Sequence, residues 1–258
     1  MKTVLSNDGT LIAYQETGSG PPLVLVHGTS ADHTRWNPVL PLLEQKFTVY
    51  AVDRRGRGMS ADKGKYSFDR EFEDIAGLVD TIGQPVYLLG HSFGAFCSLG
   101  AALLTENIEK LILYEPPPPD MKGTIPVQII NKLQKLSDTG DHEGVLITFL
   151  QDMVGIPVRE IEVMSSHPSW KGRVTSAHTI LREISESPAI DLGRIKTICI
   201  PILLLTGGDS PPIFTDFIKI LGEILPENKL VVLPGQQHMA MATAPELFVS
   251  EIVKFLNH

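Results

Sequence analysis

The sequence predicts an α/β protein in which helices cover both faces of a doubly wound, mostly parallel sheet. Short, continuous apolar runs recur at 23–26, 47–52, 86–89, 111–114, 202–205 and 230–233. Runs of that length without alternation indicate strands covered on both faces. Helix-length segments separate most of them, which is the rhythm of a parallel sheet wound in both directions. The chain has 258 residues, 43% of them hydrophobic. That length buries a substantial core and favours one domain with an insertion over two full domains.

The elements follow in order. The run at 10–16 alternates and comes after Asn7-Asp8-Gly9, a turn of the hairpin type, so the chain opens on a hairpin. Residues 68–82 read as an amphipathic helix with Phe72, Ile75, Ala76 and Val79 on one face. Residues 93–104 are apolar and small all round, as a buried helix requires. Residues 245–255 form a terminal amphipathic helix with Pro245 at its start. Between Tyr114 and Ile202 the rhythm breaks. No strand pattern occurs there, and helical patterns appear at 127–136, 143–153, 156–164 and 169–184. The expected organisation is a core of 1–116 and 196–258 with a helical lid at 117–195. The Pro116–Pro119 run gives a stiff, extended exit from the sheet.

Composition narrows the partners. A formal net charge of -8 and a pI near 5.5 argue against nucleic acid or an anionic membrane, both of which need a basic footprint. No run approaches the roughly 20 apolar residues of a membrane span, and a polar turn interrupts the N-terminus before a signal-peptide core could form. Cys97 and Cys199 show no metal-ligand spacing and sit among apolar neighbours, so buried, reduced thiols in a cytoplasmic protein are expected. The expected partner is a small-molecule substrate, bound by a monomer or homodimer without metal or organic cofactor.

The chemistry concentrates at Gly90-His91-Ser92-Phe93-Gly94, a G-x-S-x-G pattern. The pattern alone is weak, but a buried strand runs directly into it and a small-residue helix directly out. A sharp strand-to-helix turn holds such a serine in a strained conformation and aims helix N-terminal N–H groups at a developing oxyanion.

Four landmarks in order make the chain resemble the lid-bearing branch of the α/β-hydrolase superfamily: His27-Gly28 after the run at 23–26, with Trp36 downstream; Asp53-Arg54-Arg55-Gly56-Arg57-Gly58-Met59-Ser60; the turn at Ser92; and His238 after the last strand. The resemblance implies an eight-stranded sheet with the lid inserted after strand six. It also implies Ser92 as nucleophile, His238 as general base, and an oxyanion hole from the N–H groups of Phe93 and Thr29. His91 is expected to pack structurally and His27 to brace the oxyanion loop, while His33, His142, His167 and His178 are expected at the surface.

The acid departs from the family pattern. The usual aspartate ends the seventh strand, where this chain reads Gly207-Gly208-Asp209-Ser210-Pro211. Ser210 falls on the acid position and Asp209 one residue early. Glu115, at the end of the sixth strand, occupies the other place where the family carries its acid. Glu115 is therefore the expected acid and Asp209 its rival. Arg54, Arg55 and Arg57 are expected as solvated turn residues, and Trp36, Phe96 and Trp170 as candidates to line an apolar acyl pocket.

These features point to a serine hydrolase cleaving a small or medium ester-type acyl substrate. The same machinery also serves carbon–carbon bond hydrolysis, perhydrolysis and lyase reactions. A hydrolase-derived ligand receptor with little turnover is the reading from another class.

Overall fold

The computed structural model describes residues 1–119, 125–186, 190 and 192–257. Eight strands form one sheet: β1 (Lys2–Leu5), β2 (Leu11–Gly18), β3 (Pro22–Val26), β4 (Thr48–Val52), β5 (Val86–His91), β6 (Ile108–Tyr114), β7 (Ile202–Gly207) and β8 (Asn228–Leu233). Their spatial order is β1-β2-β4-β3-β5-β6-β7-β8. The opening hairpin pairs antiparallel, β2 pairs antiparallel with β4, and every other pairing is parallel. The chain reverses its winding direction after β3, so the crevice at the carboxyl ends of the central strands is where this topology places a site.

The central strands have no polar face. Along β3, Val24 and Val26 enter one core while Leu23 and Leu25 enter another on the opposite side of the sheet. The first core is closed by α2 (Phe68–Ile82) and α3 (Phe93–Ala101), and the second by α1 (Leu40–Leu43), α11 (Ala240–Thr243) and α12 (Pro245–Leu256). Helix α2 buries Phe72, Ile75, Ala76 and Val79, as its spacing predicts; Ser67 accepts from Arg70 N at its start, and Gly83 ends it in the left-handed conformation. β8 differs from expectation. It is the last strand of the sheet, and Leu230 and Val232 are exposed. An apolar run cannot by itself distinguish a central strand from an edge strand.

Between β6 and β7 the described residues contain helices only: α4 (Val127–Asp138), α5 (His142–Thr148) continued by one wider turn at Phe149–Met153, α6 (Val158–Ser165), α7 (Trp170–Thr175), α8 (His178–Ser185) and α9 (Leu192–Ile195); α10 (Pro212–Ile224) follows β7. Helices α4 to α8 bury their own core around Leu133, Leu146, Phe149, Ile180 and Ile184. The pattern at 169–184 predicts one helix, but the structure breaks it at Ser176-Ala177, where the Thr179 hydroxyl donates to the Ser176 carbonyl at 2.7 Å. Cys97 is buried as expected, whereas Cys199 is exposed. It lies in the turn before β7, so apolar neighbours in sequence do not cover it. No described helix is long and apolar enough to cross a membrane.

The arginines of the turn after β4 are not solvated. Arg54 donates through Nε and Nη2 to Glu71 of α2 at 3.0 and 2.8 Å, and through Nη2 to Glu183 of α8 at 2.5 Å. Arg57 reaches the same two carboxylates, and Arg55 is paired with Asp74 and Asp8. A local reading misses this because Glu183 lies 129 residues from Arg54. Two guanidiniums and two carboxylates out of water are stable only together. Burial pushes the Glu71 carboxyl upward, but Arg54 and Arg57 hold it below the usual range. Glu183→Ala leaves one carboxylate for two buried cations and unfastens α8 from the sheet, so it is expected to lower unfolding stability by about 3–5 kcal/mol, read from urea denaturation. A loss under about 1 kcal/mol, the scale of a surface pair, would mean the network is hydrated.

Candidate active site

Ser92 stands between β5 and α3 at φ 55, ψ -128, a conformation few side chains adopt and one that persists only when the surroundings impose it. The surroundings are explicit. Gly94 packs so closely on the Val26 and His27 carbonyls that a Cβ there would overlap them, and a Cβ on Gly28 would lie 2.9 Å from the Ser92 Cβ. The Ser92 N–H donates to the Tyr114 carbonyl at 2.8 Å. Phe93 is the first residue of α3, so its N–H has no partner within the helix. Thr29 is buried on the facing loop, which its neighbour Ser30 turns with φ 54.

His238 leaves the turn after β8, and its Nδ1 lies 2.6 Å from Glu115 Oε2. Glu115 is wholly buried and adopts φ 47, which swings its side chain from the end of β6 across to β7. There Oε1 accepts from Thr206 Oγ1 at 2.9 Å and Gly207 N at 2.7 Å. Burial pushes the Glu115 carboxyl upward, but the hydrogen bond and charge of His238 outweigh it and hold the group below the usual carboxylate range. Asp209 is exposed and makes no bond to His238 among the described residues. Of the two carboxylates, the structure brings only Glu115 to the histidine. The Ser92 hydroxyl makes no hydrogen bond to His238 in this structure; ligand-free sites commonly leave that contact long.

A sequence family described as "Alpha/beta hydrolase family" matches residues 23–251. The chain belongs to the alpha/beta hydrolase family. The crystal structure of an alpha/beta hydrolase from Sphaerobacter thermophilus is similar at 34% identity and a TM-score of 0.86, covering 99% of this chain and 100% of that one. A 2-(acetamidomethylene)succinate hydrolase from Mesorhizobium japonicum is 25% identical, covering 94% of this chain and 90% of its own. A putative carbamate hydrolase from a Caulobacter species is 26% identical, covering 95% of each. The chain is accordingly an enzyme of the alpha/beta hydrolase family.

Three further residues surround the histidine of this hydrolase. Tyr114 donates its hydroxyl to the Gln237 carbonyl and accepts from Ala240 N at 3.1 Å, gripping the loop on both sides of His238 while its own carbonyl holds Ser92. His91 packs its ring 4.6 Å from that of His238 and bonds through Nε2 to the His238 carbonyl at 2.9 Å. Burial drives His91 well below the ordinary imidazole range, so it is a neutral donor. Phe214, on α10, stacks face to face on His238 with centroids 4.0 Å apart and an interplanar angle of 13°. Only the fold brings these positions together; Tyr114, next to Glu115, is the one whose place in sequence could have suggested it.

The remaining expectations divide. His27 is buried, bonds Gly28 O through Nδ1 at 2.8 Å and accepts from Arg54 N at 3.1 Å, bracing the loop. His142, His167 and His178 are exposed. His33 is half-buried, not at the surface, with Nδ1 2.8 Å from Asp53. Asp32, His33 and Asp53 bring three ligand atoms within 4.8 Å of one another. Asp53 Oδ1 already takes His33 N and Nδ1, and Oδ2 takes Met59 N, so the group is a satisfied brace. Phe96 lines a small crevice with Phe68, Phe93, Pro117 and Glu183. Trp36 instead fills the core behind His91, and Trp170 packs inside the helical segment with its indole N–H on Glu143 at 2.7 Å. Neither tryptophan lines the crevice, because large apolar side chains at helical spacing serve packing first.

Proposed function

We propose that this enzyme is a serine hydrolase that cleaves a small or medium ester-type acyl substrate through an acyl-enzyme on Ser92. The observation that carries the reading is the 2.6 Å bond between His238 Nδ1 and buried Glu115 beside a strained serine. In this mechanism Glu115 accepts a hydrogen bond from Nδ1–H and fixes that tautomer, leaving Nε2 as the basic nitrogen. His238 takes the Ser92 proton as Oγ attacks the carbonyl, then returns it to the leaving group. The N–H groups of Phe93 and Thr29 hold the oxyanion, each contributing about 3 kcal/mol to the transition state. Water activated by His238 then releases the acid. Two relatives are named for cleaving an acetamidomethylene succinate and, putatively, a carbamate, which supports acyl chemistry while leaving the leaving group open.

The helices of 117–195 act in this reading as a lid that encloses the substrate from water. A fluorophosphonate probe is expected to label Ser92 in the folded protein, and p-nitrophenyl esters of graded chain length to turn over fastest among the short acyl groups. A folded protein that forms no Ser92 adduct and hydrolyses none of the esters would instead be a ligand receptor.

A further inference from the structure

Every described arginine that is not exposed stands against a carboxylate, except two: Arg35 and Arg173. Both are half-buried. Arg173, on α7, donates through Nε to the Ser30 carbonyl at 3.1 Å and through Nη2 to the Ser30 hydroxyl at 3.2 Å. Ser30 directly follows Thr29, the candidate oxyanion donor. Arg35 has only the Met239 sulfur, 3.8 Å from Nη1, and Met239 directly follows His238. One guanidinium therefore rests on each of the two loops that hold the candidate donor and base.

The pair is electrostatically unfinished. Burial and then the charge of Arg35 lower the Arg173 guanidinium to about 9, and burial also lowers that of Arg35. Asp32 is the one carboxylate whose charge acts on both. It forms an ion pair with neither and spends Oδ1 on Thr34 N and Oγ1 at 2.9 and 2.5 Å. Two half-buried guanidiniums thus have no ion-pair partner among the described residues, and the carboxylate that acts on both has one oxygen bonded to Thr34. Removing charge from water is unfavourable unless a partner arrives, and the planar guanidinium fork is matched to a carboxylate.

We propose that the acyl substrate carries a free carboxylate, which docks between Arg35 and Arg173 while its scissile carbonyl lies over Ser92. This rests on the serine-hydrolase reading and adds the substrate class: half-esters and related acyl derivatives of dicarboxylic acids. The binding charge sits away from the reacting carbonyl, so it positions the acyl group without taking part in proton transfer.

The test compares mono-p-nitrophenyl succinate with its neutral isostere, the p-nitrophenyl ester of succinamic acid. The wild-type enzyme is expected to favour the charged ester in kcat/KM by about tenfold or more, the scale of one charged hydrogen bond. Arg35→Gln and Arg173→Gln are each expected to raise KM for the charged ester several-fold more than for the neutral one, so that most of the preference is lost whatever the shared effect on kcat. Arg173→Lys is expected to restore part of it. Equal wild-type rates on the two esters would overturn the proposal. So would variants that lose both substrates alike, which would make Arg173 a latch between α7 and the Ser30 loop. Calorimetry of succinate and succinamide with Ser92→Ala keeps the two readings separable. Preferential succinate binding there supports the anion site even if no ester is hydrolysed, and equal or absent binding overturns it.

Discussion

Ser92→Ala is expected to lower kcat by about 10^6-fold and to abolish fluorophosphonate labelling, with the fold unchanged. The size of the effect follows from the division of labour at the site. In the proposed mechanism His238 is a base with nothing to deprotonate once the hydroxyl is gone, so the contributions of Ser92, His238 and Glu115 vanish together. What survives is the rate supplied by the oxyanion donors and substrate binding, about 10^3–10^4 over water. Stability gives an independent reading. Ser92 is held at φ 55 by the helix behind it and the Gly28 loop in front, and such a residue stores about 1–3 kcal/mol. Ser92→Gly is expected to be as inactive as Ser92→Ala but more stable by about 1 kcal/mol, because glycine adopts that backbone freely. Circular dichroism and urea denaturation check the fold and the difference. Substantial ester hydrolysis by folded Ser92→Ala would place the nucleophile elsewhere.

Glu115→Gln is expected to lower kcat by about 10^4-fold, whereas Asp209→Asn leaves it essentially unchanged. An amide of the same shape still fills the position between His238, Thr206 and Gly207. It cannot, however, balance the imidazolium that forms when Ser92 loses its proton. Its NH2 can also turn toward Nδ1 and select the tautomer in which Nε2 carries the hydrogen, leaving no base facing the serine. The burial of Glu115 makes the carboxylate effective, since its charge is unscreened by water. Asp209 is exposed in the turn after β7. Steady-state kinetics on a short p-nitrophenyl ester decide the matter. A collapse confined to Asp209→Asn, with Glu115→Gln active, would assign the acid role to Asp209 and make the His238–Glu115 bond structural.

Much of the fold was legible in the sequence because its signals are local and periodic. Unbroken apolar runs mark β3, β5, β6 and β7 wherever both faces of a strand are covered, and the same signal over-reads β8, whose position at the sheet edge is not written in its residues. The Phe72, Ile75, Ala76, Val79 stripe fixes α2 through a spacing that only a helix can bury on one side. The arginines after β4 show the opposite limit. Their turn sequence reads as a solvated loop, yet their partners Glu71, Glu183, Asp74 and Asp8 are spread over the chain, and no local pattern announces a charge network closed by packing.

The site divides along the same line. By itself the sequence determined the serine turn, the histidine after the last strand and the loop at His27-Gly28, because each sits at a fixed place relative to a strand end. It narrowed the acid to Glu115 and Asp209 and could go no further, since both follow strands at neighbouring positions. The tertiary structure decided between their locations: parallel register sets Tyr114 beside Leu205, and the positive φ of Glu115 carries its side chain over that junction to His238. His91 and Tyr114 reach His238 from neighbouring strands, whereas Phe214 arrives on α10 and Arg173 on α7, through helix packing that no strand register sets. Strand ends can be found one at a time, but the distance between two of them exists only once the sheet has formed.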